Sequence, residues 1–157
     1  MKQTQPPRLL LLNGPNLNML GRRDPKQYGT FTLADVEQLT RETAVSHGWE
    51  LDCFQSNHEG DLVDRIQQAI GVYEGILLNA GALTHYSYSL RDAIELCRLP
   101  VMEIHISDIQ KREPFRQISV IHEVCCGQIA GLGLDSYRVG TDKLCRLLKG
   151  TQDEIEL

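Results

Sequence analysis

Short apolar runs alternate with amphipathic stretches along this chain. Leu9–Leu12, Gly75–Leu78 and Val101–Ile106 read as strands of a sheet buried on both faces, and Trp49–Gln55 reads as another strand. Between these runs, apolar residues return at helical spacing. Leu33, Val36, Leu39 and Ala44 share one face of a helix that Thr32 can cap and that ends near His47, with Gly48 as its stop. Leu62, Ile66, Ala69 and Ile70 mark a second helix, and Leu90, Ala93, Ile94 and Cys97 a third, closed by Pro100. A short strand near Gly127–Ala130 and a closing helix over Asp135–Leu148, with Tyr137, Leu144, Leu147 and Leu148, complete the pattern. Gly150–Leu157 reads as a polar, acidic tail.

Five strands alternating with helices predict a parallel sheet covered on both faces, because each right-handed crossover lays a helix over the sheet. The simplest order is 2-1-3-4-5, a flavodoxin-like α/β fold. There is no repeat, linker or composition shift, so residues 1–157 read as a single catalytic domain with residues 1–7 as a loose leader. In such sheets ligands bind beyond the carboxyl ends of the strands, at the point where the order reverses. The loops beginning at Asn13, Asn79 and Ser107 meet there, and they are the segments richest in polar side chains.

Composition narrows the function. The 16 basic and 21 acidic residues give a net charge of −5, which argues against a nucleic-acid or acidic-membrane partner, so any anion must be held locally. No run has the length of a transmembrane span and the start lacks a signal peptide's apolar core, which points to a cytoplasmic protein. The cysteines at 53, 97, 125, 126 and 145 form no Cys-x-x-Cys pair and read as reduced packing residues.

Asn13–Gly29 is a long loop for a compact domain, and loops of that length are usually functional or disordered. It carries Tyr28, whose phenol would need nearby cations such as Arg22 and Arg23 to act as a base near neutrality. On spacing alone, Tyr28 is equally an ordinary loop aromatic. Glu103 and His105 stand two apart on one strand, so the carboxylate can fix the imidazole's tautomer, as a general acid requires; a satisfied strand-end pair reads the same way. Arg112 and Arg116 lie one helical turn apart and can face one ligand or simply solvent. A zinc site of His85, His105 and Glu103 has no His-x-x-x-His spacing behind it. The glycines of Gly127–Gly133 miss the dinucleotide and P-loop spacings, so no nucleotide is indicated.

Five ordered blocks carry a specific resemblance. They are Asn13-Gly14-Pro15-Asn16-Leu17-Asn18 with Leu20-Gly21 and Tyr28-Gly29; Gln55-Ser56-Asn57-His58-Glu59-Gly60; Asn79-Ala80-Gly81-Ala82 with Thr84-His85; Glu103-Ile104-His105-Ile106-Ser107; and Arg112-Glu113-Pro114-Phe115-Arg116. Over about Arg8 to Leu148 the chain resembles the type II 3-dehydroquinate dehydratases. The resemblance implies a flavodoxin-like fold, no cofactor and no metal, and anti elimination of water from 3-dehydroquinate to 3-dehydroshikimate through an enolate. It also implies a dodecamer of four trimers.

By position, Tyr28 resembles the catalytic base, Arg23 the lid arginine that tunes it, Asn16 the residue that stabilises the enolate through a water, and His105 the general acid oriented by Glu103. The resemblance puts the substrate carboxylate on Asn79 and the backbone N–H groups of Ile106 and Ser107, and ring hydroxyls on His85 and Arg112. Arg116 would support the pocket, and Asp92 would reach a neighbouring subunit's site. Asn13–Asn18 then reads as a fixed floor and Met19–Gly29 as a mobile lid carrying the base. Asp108, Tyr86 and Ser136 depart from the family pattern; Asp108 would add negative charge near the carboxylate site.

Two rivals stand against this reading, and the 157-residue length excludes the first. A lysine Schiff base is the chemistry of the type I enzymes, on a barrel of about 250 residues. Here Lys26, Lys111, Lys143 and Lys149 lie in polar surroundings. The other is a catalytically inactive relative acting through binding or assembly. A receiver module is disfavoured because strands one and three end in Asn13 and Asn79 rather than in a phosphorylatable aspartate.

Overall fold

The structure is a computed structural model that describes the backbone of residues 5–155 and the side chains of residues 5–150. Its elements are β1 (Arg8–Asn13), α1 (Pro25–Tyr28), α2 (Leu33–Ser46), β2 (Glu50–Gln55), α3 (Glu59–Ala69), β3 (Gly75–Asn79), α4 (Tyr88–Cys97), β4 (Val101–Ile104), β5 (Gly127–Ile129) and α5 (Asp135–Ile155), with short 3-10 turns in the loops. All strand pairs are parallel and the order is 2-1-3-4-5, as the alternation of strands and helices requires.

The four leucines of β1 show why the sheet is covered twice. All are fully buried, but successive side chains leave a strand on opposite faces. Leu9 and Leu11 join a core with Val36 and Ala44 of α2 and Tyr137 and Leu144 of α5. Leu10 and Leu12 join another with Leu62 and Ile66 of α3 and Leu90 and Ile94 of α4. Thr32 caps α2 through a reciprocal pair: Asp35 N–H donates to its hydroxyl at 3.3 Å, and Thr32 N–H donates to the Asp35 carboxylate at 2.9 Å.

Several boundaries differ from expectation. β4 stops at Ile104 rather than Ile106 because its outer neighbour β5 ends at Ile129; His105 N–H makes the last contact, donating to Ile129 O at 2.8 Å. Ile70 lies past the end of α3 and is 49% exposed, not on its apolar face, and Leu147 is also exposed. α5 runs on through Ile155, so the expected tail begins as helix. The leader is tied down at its end, where Glu50 N–H donates to Pro7 O at 2.9 Å; residues 1–4 lie outside the described residues. All five cysteines are unpaired. Cys97 and Cys145 are buried, Cys53 and Cys125 partly so, but Cys126 is exposed and does not fit the packing role expected of it. No helix among the described residues is long and apolar enough to cross a membrane.

Candidate active site

The carboxyl ends of β1 and β3 are locked together before any ligand is considered. Gly14 N–H donates to Asn79 O at 2.8 Å, and a Cβ on Gly14 would stand 2.5 Å from Ala80 O, so only glycine fits. Below them, the buried hydroxyl of Tyr137 donates to Asn13 Oδ1 at 2.7 Å and accepts from Asn79 Nδ2 at 2.8 Å. Burial pushes the Tyr137 phenol well above its ordinary value, so it stays a neutral donor. Asn79 Oδ1 accepts from Gly81 N–H at 3.2 Å, which leaves one side-chain N–H of Asn79 for the pocket.

Asn16 stands at φ 71°, in the left-handed region that asparagine tolerates better than most residues. Asn57 and Gln55 hold it there. Asn16 N–H donates to Asn57 Oδ1 at 2.9 Å, and Gln55 Nε2 donates to the same oxygen at 3.1 Å and to Gly14 O at 3.2 Å.

A cavity of about 570 Å³, counting the space open at its mouth, lies above this floor. Asn16, Arg23, Tyr28, Asn79, His85, His105, Ile106, Ser107, Arg112 and Arg116 all line it. Glu103 stands behind His105, fully buried, and its Oε2 accepts from three donors: the His105 Nε2–H, Ser119 Oγ at 2.9 Å and Gln128 Nε2 at 3.0 Å. Burial raises the Glu103 carboxyl, but the His105 hydrogen bond and charge, with Gln128 and Ser119, outweigh it and hold the group below the ordinary 4.5. With Nε2 committed to Glu103, the other ring nitrogen of His105 is the one available to a ligand.

The loop after β4 supplies further donors. Where the ladder with β5 ends, the N–H groups of Ile106 and Ser107 have no acceptor among the described residues. Arg112 Nη1 donates to Ser107 Oγ at 3.2 Å and to the Tyr28 hydroxyl at 2.7 Å. His85 Nδ1 can only donate to Ile118 O, at 2.8 Å, which leaves Nε2 as an acceptor in the neutral ring. Burial lowers its imidazole below 6.5, helped by the charges of His105 and Arg116 and opposed by the Ile118 bond.

The segment expected to be one long loop contains a helical turn, α1, which brings Tyr28 to the pocket. Pro25 starts it with its fixed φ, and the Asp24 side chain accepts from Lys26 N–H at 3.0 Å. Arg23 stacks on the Tyr28 ring with Cζ 3.6 Å from the centroid, while Arg112 is the cation that reaches the phenol oxygen. Arg22 is outside the pocket lining.

Four residues singled out in the sequence lie outside the pocket lining. Asp92 is exposed on α4 and is not in the pocket of its own chain. Asp108 does not line the pocket either; its carboxylate accepts from Gln110 N–H at 3.1 Å and lies 3.9 Å from Lys111 Nζ. Tyr86 is 61% exposed, and Ser136 is a buried acceptor for Leu132 N–H at 3.1 Å. The sequence does not mark Tyr137, Ser119 or Gln128 as site residues. No local spacing signals them, because each acts on the site from another element. Asn13, Gln55 and Asn57 lie inside the matching blocks but carry no role there. Among the described residues, no three His, Cys, Asp or Glu side chains are grouped to hold a metal.

A family model described as dehydroquinase class II matches residues 7–145. The 3-dehydroquinate dehydratase of Anoxybacillus flavithermus is 52% identical over 143 residues, covering 91% of this chain and 97% of the relative, and that of Bacillus cereus strain G9842 is 52% identical at similar coverage. Among solved structures, the type II dehydroquinase of Butyrivibrio crossotus superposes with a TM-score of 0.85 at 44% identity, covering 88% of this chain and 97% of that one. A 3-dehydroquinate dehydratase-like protein from Bifidobacterium longum is more distant, at a TM-score of 0.67 and 27% identity over 91% of this chain and 98% of that one.

Proposed function

The chain belongs to the class II dehydroquinases, and from that premise we propose the following chemistry for its pocket. The enzyme is a 3-dehydroquinate dehydratase, a hydro-lyase that forms 3-dehydroshikimate. Tyr28 acts as base and removes the proton from the carbon beside the ketone. A phenol serves as base only as its anion, and the guanidiniums of Arg112 and Arg23 meet that charge at the oxygen and over the ring face. The enolate that forms is stabilised from the Asn16 side through a bound water. His105 then gives a proton from the nitrogen not held by Glu103 to the leaving hydroxyl, and water departs on the face opposite the abstracted proton.

The substrate carboxylate takes the free N–H groups of Asn79, Ile106 and Ser107, which explains how a chain of net charge −5 binds an anion. Ring hydroxyls meet His85 Nε2 and Arg112, and Arg116 supports the wall. Asp92 completes the site of a neighbouring subunit, so the trimer is the active unit and four trimers form the dodecamer. The enzyme works in the cytoplasm, without cofactor or metal, in the shikimate pathway or in quinate breakdown.

The observation that most supports this reading is that one pocket holds a tyrosine with an arginine on its oxygen and a histidine backed by a buried carboxylate. The test is to mix the protein with 3-dehydroquinate and follow the ultraviolet absorbance of the conjugated enone. A sustained rise is expected, and its absence would reduce the protein to an inactive relative. Borohydride added with substrate should leave the protein unlabelled; a trapped adduct would sink the enolate mechanism in favour of a Schiff base.

A further inference from the structure

Glu103 is asymmetric. Its Oε2 is saturated by three donors, whereas Oε1 is buried and has no hydrogen-bond partner among the described residues. An unpaired buried carboxylate oxygen is costly and calls for a partner. His122 Nδ1 lies 3.8 Å from Oε1, on a ring whose side chain is 57% exposed while Glu103 is fully buried. That distance is just beyond hydrogen-bond range, and an approach of about half an ångström would close it.

The segment bearing His122 is fixed from both sides. Val120 N–H donates to Thr84 O at 2.9 Å, Arg91 Nη1 donates to Val120 O at 2.9 Å, and Arg91 also pairs with Glu123 at 3.1 Å. Ile121, just before His122, is fully buried. The imidazole is therefore held at the outer end of a line that runs from solvent through Glu103 to His105 and the pocket.

We propose that His122 is a positioning residue for the dehydration, donating from Nδ1 to Glu103 Oε1 and so setting how strongly the carboxylate holds the His105 proton. The proposal rests on His105 being the general acid. With Oε1 bare, the full carboxylate charge is directed at the imidazolium, which then yields its proton to the leaving hydroxyl less readily. A donor on Oε1 draws part of that charge away and strengthens the acid. The other ionisable groups around the pair are His85 and Cys125, which both sense the Glu103 charge, and Glu123, whose charge Arg91 meets.

The test compares His122→Phe with His122→Asn, whose amide keeps a donor near the Nδ1 position. The Phe variant is expected to lower kcat about fivefold with KM nearly unchanged, as loss of a transition-state contribution requires. It should also move the basic limb of the kcat–pH profile upward by about half a unit. The Asn variant should restore most of both. A Phe variant with wild-type kcat and basic limb would overturn the proposal, as would Phe and Asn variants that fall together without any movement of the limb. His105→Asn, run in parallel, separates the two levels. Retained activity there overturns the general-acid assignment itself, while lost activity beside an unaltered His122→Phe profile overturns only the part given to His122.

Discussion

The strand-end floor and the segment Met19–Gly29 meet the same pocket in opposite ways. On the floor, Asn13, Asn79, Glu103 and His105 are all at most 5% exposed and are bonded to one another's neighbours through Tyr137, Ser119 and Gln128. In the other segment, most residues from Gly21 to Gln27 are exposed, and Tyr28 is held by two arginines rather than by packing alone. Groups whose orientation shapes the pocket are buried and hydrogen-bonded to other elements. Tyr28 is borne by a single helical turn, its ring at the edge of a core cluster and its hydroxyl and ring face met by Arg112 and Arg23. Substitutions in the two regions should therefore separate activity from stability.

The largest expected effect is on the outer side. Tyr28→Phe should lower kcat by about a thousandfold, the range for loss of a general base, while the thermal unfolding midpoint stays at the wild-type value. A midpoint that falls with activity would place Tyr28 among the structural groups and dissolve the contrast.

Glu103→Gln should affect both properties. It leaves His105 without its carboxylate, so kcat falls by about a hundredfold, and disruption of the buried cluster costs about 1–3 kcal/mol of stability. The sign of its pH dependence follows from the depressed carboxyl. The folded group ionises below 4.5, so its stabilisation is present above that value and is lost as pH falls through the lowered folded value. Urea unfolding at about pH 7 and about pH 3 should therefore show a larger loss for wild type than for Glu103→Gln. Equal losses would show that the cluster does not carry this linkage.

Tyr137→Phe should be smaller and mostly structural. It removes the hydroxyl joining Asn13 and Asn79, costing about 1–2 kcal/mol, and it should raise KM more than it lowers kcat if Asn79 binds the carboxylate. The smallest effect is expected for Arg23→Ala, which removes a cation–π contact but leaves Arg112 on the phenol oxygen. Arg112→Ala should cost more activity than Arg23→Ala, and the reverse order would return the main tuning role to Arg23.

The same contrast explains what the sequence could and could not convey. Leu9–Leu12 announces a strand buried on both faces, and Thr32 and Gly48 announce the bounds of α2, because these signals are local. The residues lining the pocket were also legible, since motif blocks keep their order along the chain. What escaped is the network beneath them. Tyr137 lies 58 residues from Asn79, and Ser119 and Gln128 reach Glu103 from other segments, so no spacing rule links them. Arg112 on Tyr28 spans 84 residues for the same reason. Even the misplaced end of β4 is non-local, because it is decided by where β5 stops.

The division between a fixed floor and a moving base is tested most directly by amide hydrogen exchange over residues 19–29 and 76–79, with and without saturating 3-dehydroshikimate. If closure of Met19–Gly29 gates the reaction, that segment should exchange quickly alone and become protected with ligand, while β3 stays protected in both. Equal protection of residues 19–29 in the two conditions would contradict the account.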